Sequence, residues 1–168
     1  DTKRLADTSP VTLYGKVVGA AFPDCFFIQE STRSAGVKCV SPASLLSAGD
    51  VVNVTGTVTT ANGVKVLTNV TFSKLGTVQP PAPLGLCVRV FQGMKPDPFG
   101  VNVKIWGTVT SAGTGYCVIG SVEIRGVGVS AAQGDLVTAT GILSREQSGD
   151  KVVTVLRVAS AGSVAIIK

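Results

Sequence analysis

The 168-residue chain has no histidine, which removes Ser-His-Asp and Cys-His catalysis together with most zinc chemistry. Acidic residues are scarce, three Glu and seven Asp, and no pair of them recurs at a spacing that suggests an acid–base couple. Charged residues reach only 15%, against about a quarter in an average domain. The formal net charge of +5 therefore reflects missing acids rather than a basic cluster; Lys3-Arg4 is the only adjacent basic pair. That balance fits a weakly basic solvated surface better than a dedicated polyanion groove. None of the nine lysines is marked out as a base for a Ser or Thr nucleophile. No stretch approaches the roughly 18 apolar residues of a spanning helix, so no membrane span is expected. The four cysteines fit no CxxC motif. These absences argue against an enzyme and imply no cofactor and no metal.

What is plentiful points one way. There are 28 Val and 17 Thr, so 45 positions are β-branched, and 20 Gly punctuate them. That composition favours pleated, half-buried surfaces and disfavours long helices. Hydrophobic residues make up 45%, enough apolar surface to offset chain entropy. An all-β fold is expected.

The pattern is written twice. Val11-Thr-Leu-Tyr-Gly15-Lys-Val-Val resembles Val103-Lys-Ile-Trp-Gly107-Thr-Val-Thr, at an offset of 92 (107 − 15). Gly49-Asp-Val-Val-Asn-Val-Thr-Gly56 resembles Gly134-Asp-Leu-Val-Thr-Ala-Thr-Gly141, at an offset of 85 (134 − 49). The second copy is seven residues shorter between these blocks, a difference that belongs in a loop. Alternation and turn signals predict strands near 11–19, 24–30, 36–41, 50–60 and 64–73, then near 101–111, 115–119, 122–129, 135–144 and 150–159. Asn62-Gly63 predicts a hairpin turn, and Ser41–Ala48 a short helical turn. The expected organisation is two tandem five-stranded Greek-key barrels. Residues 1–75 form the first with an N-terminal extension, 76–100 a Pro-rich linker with an extra strand at 86–91, and 101–168 the second with a C-terminal strand. Pro80, Pro81 and Pro83 are expected to hold the barrels apart at a fixed angle.

Five strands with a short helical segment between the third and fourth is the order of an OB barrel. The run Leu-x-Gly-x-Val, Phe-Phe-Ile-Gln-Glu, Gly-Val-Lys-Cys-Val and Gly-Asp-Val-Val-x-Val-x-Gly-Thr-Val resembles bacterial OB-type domains. Val103-Lys-Ile-Trp-Gly-Thr-Val-Thr is similar to the Trp-Gly strand in tandem OB domains of secreted or cell-surface bacterial proteins. The resemblance spans most of residues 11–159, and its motifs specify a barrel rather than an activity. Copy two departs from it at Ile119-Gly120-Ser121, where the family usually has an acidic, Gly-rich turn.

Candidate sites follow from these elements. Cys25, Cys39, Cys87 and Cys117 are expected to form disulfides in an oxidising setting, with small buried thiols as the alternative. If Lys38 faces solvent then Cys39 faces the core while Cys25 faces out, so pairing them needs a bulge. Asn53 and Asn69 lie in N-x-T sequons, so covalent glycan is one expected partner. A nucleic-acid face would use Tyr14, Lys16, Phe27 and Lys38 in copy one, and Lys104, Trp106, Tyr116 and Arg125 in copy two. With Phe26 and Ile28 inward, Phe27 is expected to be an outward platform.

The leading expectation is a non-enzymatic extracellular or cell-surface structural protein. It would build a homo-oligomer or filament by head-to-tail packing or strand addition, through Leu5, Val164, Ile166 and Ile167 in the terminal segments. The alternative is an OB-fold binding module for single-stranded nucleic acid or glycan.

Overall fold

The computed structural model describes residues 2–43, 45–88, 97–126, 128–160 and 163–167. Twelve strands follow a short 3-10 turn at Thr2–Arg4: β1 (Pro10–Ala21), β2 (Phe26–Gln29), β3 (Gly36–Cys39), β4 (Asp50–Ala61), β5 (Val64–Thr77), β6 (Leu84–Gly85), β7 (Asn102–Gly113), β8 (Tyr116–Ile119), β9 (Val122–Gly126), β10 (Leu136–Ser148), β11 (Lys151–Val158) and β12 (Val164–Ile166). Each of the ten predicted strands has a counterpart within a few residues. Among the described residues 41–48 there is no helix, only turns. No helix is long and apolar enough to cross a membrane.

The first five strands close into an OB-like barrel in the order β1-β2-β3-β5-β4, with β1 pairing back onto β4 and β3 running parallel to β5. The second copy repeats the ring as β7-β8-β9-β11-β10, closed by the β10–β7 pairing, with β9 parallel to β11. Alternation explains both interiors. Val18, Phe26, Ile28, Val52, Val54 and Leu67 fill the first; Val103, Ile105, Ile119, Ile124, Leu143 and Leu156 are among those that fill the second.

The Gly-Asp repeat is structural in both copies. The Gly49 N–H donates to Val18 O, and Asp50 Oδ2 accepts the Ser47 N–H at 3.0 Å; the Gly134 N–H donates to Val109 O, and Asp135 Oδ2 accepts the Ala132 N–H at 2.8 Å. Both carboxylates close a turn that launches the fourth strand. The predicted hairpin is also present: Asn62 and Gly63 both have positive φ, 52° and 76°, as a type I′ turn requires.

Asp50 is the more deeply buried of the two. Lys74 Nζ lies 2.8 Å from its Oδ1, and the Thr77 hydroxyl donates to it at 3.1 Å. The bond from Lys74 is the main influence holding its carboxyl below the usual carboxylate value, against the opposing effect of burial. The sign follows. A depressed folded-state pKa stabilises fully above the unfolded value of about 3.9, and that stabilisation fades as pH falls through the folded value. Asp50→Ala is expected to cost about 1–3 kcal/mol by stranding the Ser47 and Thr77 donors. It should also flatten the acid limb below about pH 4 in urea unfolding followed against pH.

The barrels are not held apart. The outer face of β2 lies against β10 and β11 of the second barrel, and Ala20, Cys25, Phe27 and Ile142 form a shared buried cluster flanked by Phe22. Polar contacts frame it. The Asn102 N–H donates to Gln29 Oε1 at 2.9 Å, and Asn62 Nδ2 donates to Arg145 O at 3.3 Å. Arg157 holds Asp24 through two bonds of 2.9 and 3.2 Å, and its guanidinium lies 4.1 Å from the Phe22 ring centre. The Pro-rich stretch instead lies along barrel one: the Val78 N–H donates to Gly49 O, and Arg33 donates to Ala82 O at 3.1 Å. Of the extra strand expected at 86–91, residues 89–91 lie outside the described residues; strand pairing occurs just before it, at Leu84–Gly85.

Candidate ligand face

The four cysteines are free thiols, which corrects the disulfide expectation. Cys25 sits in the cluster between the barrels while Cys39 faces the first barrel's interior, so their side chains leave the sheet on opposite sides. Cys117 is in the second core and Cys87 is exposed. Burial pushes the Cys25 thiol up to about 11 although Arg157 lies 3.1 Å from its sulfur. Burial raises Cys39 and Cys117 as well, so all three are poor nucleophiles at neutral pH.

The sequon residues have structural roles of different kinds. Asn53 Oδ1 accepts the Gly15 N–H at 2.9 Å, bridging the irregularity in β1. Asn69 is exposed and occupies a bulge of β5 at φ 51°.

Both terminal segments, the candidate connecting segments for assembly, also dock on their own molecule. Lys3 donates to Phe99 O at 2.8 Å, Asp7 pairs with Lys65 at 2.7 Å, and the Thr8 N–H donates to Val58 O. Leu5, between these anchors, is exposed. At the other end β12 pairs with Val137–Ala139 of β10, so Val164 packs on the second core; Ile166 and Ile167 remain exposed.

The residues foreseen for a ligand face on barrel one do not form one. Phe27 does point away from the barrel interior, as its parity predicts, but it is only 1% exposed because the second barrel covers it. Lys16 is engaged by Glu30 at 2.8 and 3.0 Å. Tyr14 is 70% exposed and stands alone on β1, and Lys38 lines a small cleft between the barrels.

Barrel two keeps its face open. Along β7, Val103 and Ile105 are buried while Lys104, Trp106, Thr108 and Thr110 point outward. Trp106 is 51% exposed and borders an open groove of about 650 Å³ with Cys87, Val88, Thr108, Ser121 and Leu136. Gly107, next along β7, faces the barrel interior, where a Cβ would strike the buried Ile119. Tyr116 and Arg125 are cross-strand neighbours on β8 and β9. Arg125 is neutralised locally by Glu123 at 2.6 Å and Glu146 at 3.5 Å, and it donates to Ser148. Tyr116 pairs with Gly113, seven residues along β7 from Trp106, so up to about 23 Å of strand, at about 3.3 Å per residue, lies between the two aromatics. The structure thus leaves two separate aromatic–cation pairs rather than one platform. No metal-binding group of His, Cys, Asp or Glu is present among the described residues.

No protein-family model matches the sequence, and no curated protein does. Among solved structures, similarity extends to a murine DNA-binding protein bound with double-stranded DNA, at 10% identity and a TM-score of 0.42, over 95% of this chain and 97% of that one. A likeness at that level assigns nothing to this chain.

Proposed function

We propose that the protein is a non-enzymatic OB-type binding module whose ligand is single-stranded nucleic acid, held on the outer face of barrel two. The observation that carries this reading is Trp106, half exposed, with the exposed Lys104 two residues away on the same face of β7. Stacking a base on an indole beside an ammonium that meets the backbone phosphate is the recurring chemistry of sequence-tolerant strand binding. The Tyr116–Arg125 pair offers a second contact farther along the same barrel. An extracellular or cell-surface setting belongs to the proposal on composition alone.

Trp106 is the only tryptophan, so intrinsic fluorescence reports directly on this face. Titration with a short oligothymidylate at low salt should quench it, and added salt should reverse the effect. Trp106→Ala should weaken binding about 5- to 150-fold in anisotropy with a labelled oligonucleotide, the range expected for one lost base stack. No quenching at low salt would overturn the nucleic-acid reading. Quenching by a neutral oligosaccharide alone would reassign the groove to glycan.

Self-assembly is the second reading, and one observation favours it. Leu136, which lines the Trp106 groove, and Ile166 and Ile167 are exposed, and β12 has no strand on its outer edge among the described residues. Such an edge can accept another chain. Concentration-dependent sedimentation that quenches Trp106 without any ligand would select this reading.

A further inference from the structure

Four cations drawn from distant parts of the chain line one cleft between the barrels: Lys3, Lys38, Lys65 and Arg145. The cavity is about 60 Å³, room for a handful of waters or one tetrahedral oxyanion, and no Asp or Glu among the described residues lines it. Lys3 and Lys65 are engaged by Asp97 and Asp7 at 3.0 and 2.7 Å. Lys38 and Arg145 have no carboxylate within ion-pair distance among the described residues. Asp24, whose charge reaches Lys38 only as a field, is itself bound by Arg157.

Both uncompensated cations project from paired strands. Lys38 stands on β3 between its cross-strand neighbours Phe27 and Val66, one buried by the other barrel and the other in the sheet. The Arg145 guanidinium lies 5.5 Å from the Phe99 ring centre and against the Asn62-Gly63 turn, whose amide also holds the Arg145 carbonyl. Two uncompensated positive charges on the lining of one half-buried cleft favour an anion there, which would gain Coulomb attraction from both. A guanidinium fork beside an ammonium suits the several oxygens of a phosphate.

We propose that this cleft is a phosphate-binding site, with Lys38 and Arg145 as its principal ligands. It is separate from the Trp106 face and does not depend on that reading. The shared chemistry is one phosphate group, either free inorganic phosphate or the terminal phosphate of a larger molecule.

The test is thermal unfolding in phosphate against chloride at matched ionic strength, paired with the ³¹P linewidth of inorganic phosphate. The midpoint should rise by about 5 °C or more at phosphate ~100-fold above its Kd, and the ³¹P line should broaden. Lys38→Gln and Arg145→Gln should each weaken binding about tenfold or more, while Lys151→Gln, at the exposed start of β11, should not. Competition by a 5′-phosphorylated but not an unphosphorylated dinucleotide assigns a terminal phosphate; competition by neither assigns the free ion. Trp106 fluorescence should be unmoved by phosphate, so failure here and failure at the Trp106 face read out separately. Equal midpoints in phosphate and chloride with an unbroadened line would overturn the site. So would binding that survives both Gln variants, which means an adventitious ion only.

Discussion

Phe27→Ala should destabilise the protein by about 3–5 kcal/mol and split its unfolding into two transitions. Phe27 is a full-sized aromatic buried between the barrels, edge-on to Phe22 with ring centres 6.0 Å apart at 87°, and clustered with Ile142 across the interface. Truncation removes apolar contact from both barrels at once and leaves a cavity that neither closed sheet can collapse to fill. Each barrel retains its own interior, because Phe26 and Ile28 face the other way. The expected result in urea is therefore a wild-type transition that is single and a variant in which the barrels part company. A loss below about 1 kcal/mol with one sharp transition would mean the interface contributes little.

Gly36→Val should have the second large effect, about 3 kcal/mol or more, at the upper end of overpacking costs. A Cβ at Gly36 would run into the Gly100 carbonyl, so the collision is backbone against backbone and no flexible side chain can move aside. Gly100 is fixed in turn, since its N–H donates to Leu143 O at 2.7 Å. The barrels must separate to admit the valine. Small-angle scattering should show a larger radius of gyration, and the phosphate cleft floored by these glycines should lose its ligand. A variant with wild-type stability and radius would show that the close approach is not required.

The strands, turns and ring order were legible because each rests on local chemistry: period-two alternation, Asn62-Gly63, and two Gly-Asp turns. The covering of barrel one was harder to read. Parity places Phe27 outward, and an outward aromatic looks the same in sequence whether water or a second barrel meets it. One signal was available. Cys25-Phe-Phe-Ile-Gln29 is buried at every position, and Ile142-Leu143 likewise, and continuous apolar runs mark strands covered on both faces. Parity also argued against a Cys25–Cys39 bridge, and the two thiols do leave opposite faces. Trp106 and Lys104 were legible as an outward pair from the alternation around Val103 and Ile105. The cations of the cleft were not, because they come from the N-terminal turn, β3, β5 and β10, and only the docking of the barrels gathers them.

That docking covers barrel one and leaves the outer face of barrel two as the proposed ligand face, and residue-resolved amide NMR during titration with single-stranded oligonucleotide tests it most directly. With an oligonucleotide that carries no terminal phosphate, shifts are expected along β7 around Lys104, Trp106 and Thr108 and at Tyr116, with Phe26–Gln29 and Gly36–Cys39 unmoved. Shifts centred on β2 and β3, with β7 silent, would contradict the account, since they would require the strand to bind where the second barrel lies.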